Sequence, residues 1–81
     1  MQAGMHRFFI FRELKMRIML NGNPIEITNG LNIESLVISR KLELSRVVVE
    51  LNGEITDSAI WKNIMIKEND KVELISFVGG G

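Results

Sequence analysis

Three Asn-Gly pairs, at positions 21–22, 29–30 and 52–53, cut this chain into short segments. Asn and Gly accept the positive φ of a tight hairpin turn, so such a pair after an alternating apolar run marks the end of a strand. Two of the pairs follow such a run. Ile18 and Leu20 alternate with Arg17 and Met19 ahead of Asn21-Gly22. Val47, Val49 and Leu51 share one face, and Val48 and Glu50 the other, ahead of Asn52-Gly53. The first run predicts a strand over 16–21 returning over 24–28, with Pro24 at the second strand's start, where a missing N–H is tolerated. The second predicts a strand over 46–51, followed by a short one at Glu54-Ile55. A turn at Asn69-Asp70 precedes a last alternating run, from Lys71 to Phe77.

Between the second and third Asn-Gly pairs the period changes. Asn32 is placed to cap a helix over 33–41, with Glu34 in the first turn and Arg40 and Lys41 in the last, as the helix dipole favours. Leu31 and Leu36 are spaced as a hydrophobic staple, and Ile33, Leu36 and Val37 form one apolar face. Residues 57–66 are mixed, with a loose apolar set of Ile60, Ile64 and Ile66, and Trp61 is expected to plug the edge of the core. Strand, strand, helix, strand, short elements, strand is the order of an α+β β-grasp domain. Its mixed sheet of four to five strands carries one main helix on one face, with the first and last strands parallel at the centre.

Eighty-one residues make one domain, read as a body over 16–76, an N-terminal extension over 1–15 of unassigned role, and a flexible glycine tail over 77–81. The absence of cysteine excludes a disulfide framework, a thiolate zinc site and a cysteine nucleophile. His6 lies in the extension with no carboxylate or serine pattern around it. Glu50, Glu54 and Asp57 are neighbours, but too few convergent oxygens for a hard cation, so no metal is expected. Neither a Gly-x-Gly-x-x-Gly motif nor a phosphate-loop lysine occurs. Ten basic and ten acidic residues cancel, although residues 1–15 carry Arg7, Arg12 and Lys15 against Glu13. Net charge therefore argues for neither nucleic acid nor an anionic membrane as partner. The run Phe8-Phe9-Ile10-Phe11 is too short to span a bilayer or to serve as a signal-peptide core, and a cytoplasmic location is expected.

What is left is the end of the chain, Phe77-Val78-Gly79-Gly80-Gly81. Three glycines after a strand are either a frayed terminus or a device. Without side chains, such a tail fits a narrow channel and delivers the α-carboxylate of Gly81 to another protein's active site. A carboxylate is a poor acyl electrophile until activated. Joined to the α-phosphate of ATP it becomes an acyl-adenylate, from which a sulfur nucleophile displaces AMP to leave a thiocarboxylate. No motif of this chain binds ATP, so a separate enzyme would perform the activation.

The tail, with Asp70-Lys71-Val72-Glu73-Leu74 before it, resembles the ThiS/MoaD family of ubiquitin-like sulfur carriers. So do Met16-Arg17-Ile18-Met19-Leu20-Asn21-Gly22 and Val47-Val48-Val49-Glu50-Leu51-Asn52-Gly53-Glu54-Ile55. The ending is closer to the carriers of thiamine thiazole synthesis than to the small subunit of molybdopterin synthase. The resemblance covers residues 16–81 and implies a non-catalytic carrier modified at Gly81, with Gly79 and Gly80 threading the partners' channels. It implies three partners: a ThiF-type, E1-like adenylyltransferase using ATP with Mg, a sulfur-donor enzyme, and the thiazole synthase ThiG. The alternatives are a molybdopterin-type carrier and a β-grasp binding module with an inert tail. Strand parity turns Met19, Val48, Ile75 and Phe77 outward together, and with Val78 beside the departing tail they form the expected docking patch.

Overall fold

The computed structural model describes residues 15–77. Strands β1 (Lys15–Leu20) and β2 (Asn23–Thr28) form the first hairpin, followed by helix α1 (Ile33–Ser39) and a 3-10 turn (Leu44–Arg46). Strand β3 (Val47–Leu51) leads to β4 (Glu54–Ile55), a 3-10 helix (Ser58–Asn63) and β5 (Lys71–Ser76). The five strands lie in the order β2-β1-β5-β3-β4. β1 and β5 are parallel neighbours, and β5 is antiparallel to β3. This is the mixed β-grasp sheet expected from the element order, with the helix on one face.

The first hairpin turns on two residues, with Asn21 at φ 49° and Gly22 at φ 83°. Both are positive, as the twist of a tight hairpin demands. Pro24 is the second residue of β2 and faces Met19. It lies next to the closing Leu20–Asn23 pair on an edge strand, so its nitrogen points away from β1 and costs no ladder bond.

Period two delivers one face of the sheet to the helix. Ile18, Val49 and Val72 are fully buried, with Leu20, Val47 and Leu74 close behind, and they meet Ile33, Leu36 and Val37 from α1. Leu51, on the same face, is only half-buried. Trp61 closes the core edge as expected: it is 3% exposed, and its Nε1 donates to Thr56 Oγ1 at 2.8 Å. The Thr56 hydroxyl donates in turn to the Val49 carbonyl at 3.0 Å, so the indole N–H is satisfied while its ring is dry. Ile66 joins the core and Ile64 packs against it, but Ile60 projects outward at 47% exposure. The 3-10 rise turns it away from the side that buries Trp61.

The helix begins as expected, with Asn32 Oδ1 accepting from the Ser35 N–H at 2.8 Å. It ends two residues early, at Ser39 rather than 41. Lys41 adopts φ 62°, its N–H donates to Ile38 O at 2.9 Å, and the Leu42 N–H donates to Val37 O at 3.3 Å. This paired capping arrangement normally uses glycine at the left-handed position. Lysine stands there instead, so no breaker signals the stop. Arg40 and Lys41 thus lie beyond the last turn, where Leu42 can fold back onto the core.

Candidate functional site

β5 is the last strand before the C-terminal glycines in sequence, so whatever fixes β5 fixes the body up to the point where they follow. Two asparagine side chains do this from opposite flanks. On the β3 side, Asn52 Oδ1 accepts from the Lys71 N–H at 2.9 Å and the Asn52 N–H donates to Lys71 O at 2.7 Å. Asn52 Nδ2 also donates to Asp70 Oδ1 at 3.0 Å, while Asp70 Oδ2 accepts from the Lys67 N–H at 2.8 Å. The turn entering β5 and the turn leaving β3 are thereby one hydrogen-bonded unit.

On the β1 side the paired register stops at Leu20 opposite Val72. There the Asn21 side chain takes over from the backbone. Its Oδ1 accepts from the Leu74 N–H at 2.8 Å, and its Nδ2 reaches Leu74 O at 3.4 Å. An asparagine amide presents the same acceptor and donor as a peptide group, so it extends the ladder after the chain has turned away. Asn21→Gly keeps the positive φ and deletes only this clamp. We expect it to cost about 1 kcal/mol, read by urea denaturation, with faster hydrogen exchange at the Leu74 amide.

The outer face of the sheet carries the expected apolar side chains, but they are not one group. Val48 stands opposite Ile75, and Phe77 follows on the same face of β5, with Ile75 46% and Phe77 51% exposed and Val48 half-buried. Met19 is opposite Lys71, four residues down β5 from Ile75 and therefore about 13 Å away along the strand. Ile55 belongs with the upper group instead: it is 72% exposed and faces Glu50, diagonal to Val48. Its parity with Glu50 follows from the hairpin at Asn52-Gly53, so the sequence did contain that signal. Below the apolar group, Glu50 and Glu73 are paired directly across β3 and β5. Like charges in register destabilise a sheet.

Val78, Gly79, Gly80 and Gly81, with residues 1–14, lie outside the described residues. Among the described residues no group of three or more His, Cys, Asp or Glu could hold a metal. No helix there is long and apolar enough to cross a membrane.

Comparison with known proteins gives a consistent result. The model of the ThiS family matches residues 18–81. The crystal structure of thiamine biosynthesis protein ThiS from Geobacter metallireducens superposes with a TM-score of 0.70 at 33% identity, covering 82% of this chain and all of that one. The sulfur carrier protein ThiS of Bacillus subtilis is 32% identical over 65 residues, 79% of this chain and 98% of the relative. A thiazole synthase of Magnetococcus marinus is 30% identical over 66 residues, which are 82% of this chain but 20% of the synthase.

Proposed function

The chain belongs to the ThiS family, and we propose on that premise that it carries sulfur as a thiocarboxylate on Gly81, for thiazole formation in thiamine synthesis. One observation carries the reading. The strand clamped on both flanks by Asn52 and Asn21 leads straight into the glycine tail, and the family match runs to residue 81. Held by hydrogen bonds up to Phe77 and free of side-chain bulk at 79–81, the chain offers its carboxylate a few residues beyond a folded handle. A partner that grips the handle holds the reacting atom in place, which is where most of the rate advantage of a tethered reactant comes from.

The partners follow from the chemistry. On a ThiF-type adenylyltransferase the carboxylate oxygen attacks the α-phosphorus of ATP and pyrophosphate leaves, giving the acyl-adenylate, with Mg held by that enzyme. Sulfide-level sulfur, HS⁻ or its equivalent released by a donor enzyme, attacks the acyl carbon and expels AMP, leaving the thiocarboxylate. The thiocarboxylate then passes its sulfur to a thiazole synthase. Similarity to a stretch of the Magnetococcus marinus synthase supports that recipient, since it places a domain of this kind in one polypeptide with the synthase. The carrier itself performs no catalysis in this scheme.

The test is intact mass. Incubated with ATP, sulfide and its cognate activating enzyme, the protein exchanges one terminal oxygen for sulfur. Absence of the exchange at saturating enzyme refutes the reading. Complementation separates the pathways: rescue of a molybdenum-cofactor mutant but not a thiazole auxotroph would assign the carrier to molybdopterin.

The outer face supplies a second prediction. Ile75→Asp and Phe77→Asp each remove an apolar contact beside the departing tail without disturbing the core, since both side chains are half exposed. Each is expected to weaken binding to the activating enzyme by about thirtyfold, as for the loss of a buried interface anchor. Calorimetric titration measures it, on variants that thermal melts show to be folded, Ile75→Asp losing about 1 kcal/mol with its cross-strand contact to Val48. Wild-type affinity in both variants would remove this face from the interface.

A further inference from the structure

β5 has two edges, and they end differently. The Phe77 N–H donates to Arg46 O at 3.0 Å and the Asn52 N–H to Lys71 O. In this antiparallel pairing the odd-numbered residues of β5 therefore turn their backbone groups toward β3. The even-numbered residues face β1. Val72 O accepts there from the Asn21 N–H, and Leu74 is clamped by the Asn21 side chain. Ser76 is next. Its N–H and C=O face the same side, past the end of β1, and no hydrogen bond to either occurs among the described residues.

Beside this open rung lies a groove of about 390 Å³, lined by Leu20, Asn21, Ile25, Arg40, Leu42 and Leu74 among others. Leu20, Ile25, Leu42 and Leu74 supply its aliphatic part, Asn21, Asn23 and Ser76 its neutral polar part, and its one charged residue is Arg40. Arg40 sits here because the helix stops at Ser39. It is exposed, and no carboxylate pairs with it among the described residues.

We propose that this edge is a strand-addition site, taking an extended segment of the activating enzyme that bonds to the Ser76 backbone and sets a carboxylate side chain against Arg40. Three features fit one occupant. An unpaired strand edge is a template for another extended backbone. A side chain alternating off that backbone enters the groove against Leu20, Ile25, Leu42 and Leu74, and an acidic neighbour satisfies Arg40 with a charge-assisted bond. The rung also lies one residue before the chain leaves the described domain, so pairing there would hold the tail's base in line with the partner's own sheet. The choice of partner rests on the carrier reading; the edge and the groove do not.

Hydrogen exchange tests the contact directly. In the free protein the Ser76 amide exchanges fast, while the Ile75 amide, turned toward β3, is protected. Saturating activating enzyme protects Ser76. Ser76→Pro deletes an N–H that no bond within the described domain uses, so it leaves the melting temperature within a few degrees of wild type and raises Kd about tenfold. Arg40→Glu raises Kd by a similar factor, whereas Arg40→Lys raises it less than threefold. A Ser76 amide still fast in the complex, or an unchanged Kd for Ser76→Pro, overturns the strand addition. Unchanged affinity of Arg40→Glu overturns the acidic partner. Wild type that binds the enzyme but takes up no sulfur refutes the carrier function and leaves this interface standing. Wild type that does not bind overturns the interface as well.

Discussion

Deleting Gly81 is expected to slow sulfur uptake at least about a hundredfold while leaving the fold untouched. The described body ends at Phe77, and its core is complete without the tail. Stability measured by thermal melt therefore stays at the wild-type value. The variant still ends in a glycine carboxylate, but that group is drawn back by one residue, about 3.4 Å. Displacing a reacting atom by as little as 1 Å can cost on the order of a hundredfold in rate. An oxygen-for-sulfur exchange slowed at least that much, followed by intact mass over time, is the expected outcome. A second variant separates distance from chemistry. A chain amidated at Gly81 keeps its full length but has no carboxylate to join to ATP, and it is expected to show no exchange at any time. If either variant is sulfurated at the wild-type rate, the terminal carboxylate is not the carrier group.

The second large effect is on the body. α1 is seven residues long, too short to persist by itself, and is held by Ile33, Leu36 and Val37 against the sheet. Leu36 is 1% exposed. Truncating it to alanine removes buried methyl groups and leaves a void that one short helix and a single sheet layer cannot close. The expected loss is about 2–5 kcal/mol. A domain this small draws only about 3–5 kcal/mol from its core. Leu36→Ala should therefore unfold much of the population at room temperature, seen as lost near-ultraviolet dichroism and a denaturation midpoint moved toward zero. Ile38, two positions along and 56% exposed, is the internal control. Its replacement by alanine is expected to change stability by about 0.5 kcal/mol or less. Equal effects at the two positions would mean that the helix does not pack as described.

Much of this fold was legible because its signals are local. A hairpin with Asn21 and Gly22 both at positive φ, an Asn32 cap and the period-two runs of β1, β3 and β5 each depend on residues within a few positions of one another. The end of α1 is not legible in the sequence, for the opposite reason: Lys41 holds a left-handed conformation that its own chemistry does not favour. That geometry is stabilised by Leu42 packing onto the core, a contact invisible along the chain. Ile60 was grouped with Ile64 and Ile66 because spacing alone does not show which way a 3-10 segment turns. The outer face shows the same division. Parity turned Met19, Val48 and Ile75 to one side, but strand register decided which of them are neighbours, and it set Met19 beside Lys71.

From its residues alone the chain determined a set of strands, a capped helix, the face each strand would bury and a terminus of glycines, since these need only turn chemistry and side-chain alternation. Tertiary structure decided what the two strand-ending asparagines do beyond turning. The groups they clamp lie 53 residues away for Asn21 and 19 for Asn52. It also left the backbone N–H and C=O of Ser76 without a hydrogen-bond partner among the described residues, at the rim of a groove with Arg40. A backbone hydrogen bond depends on where two distant segments stop relative to each other, and that offset is set when the whole sheet closes around its core.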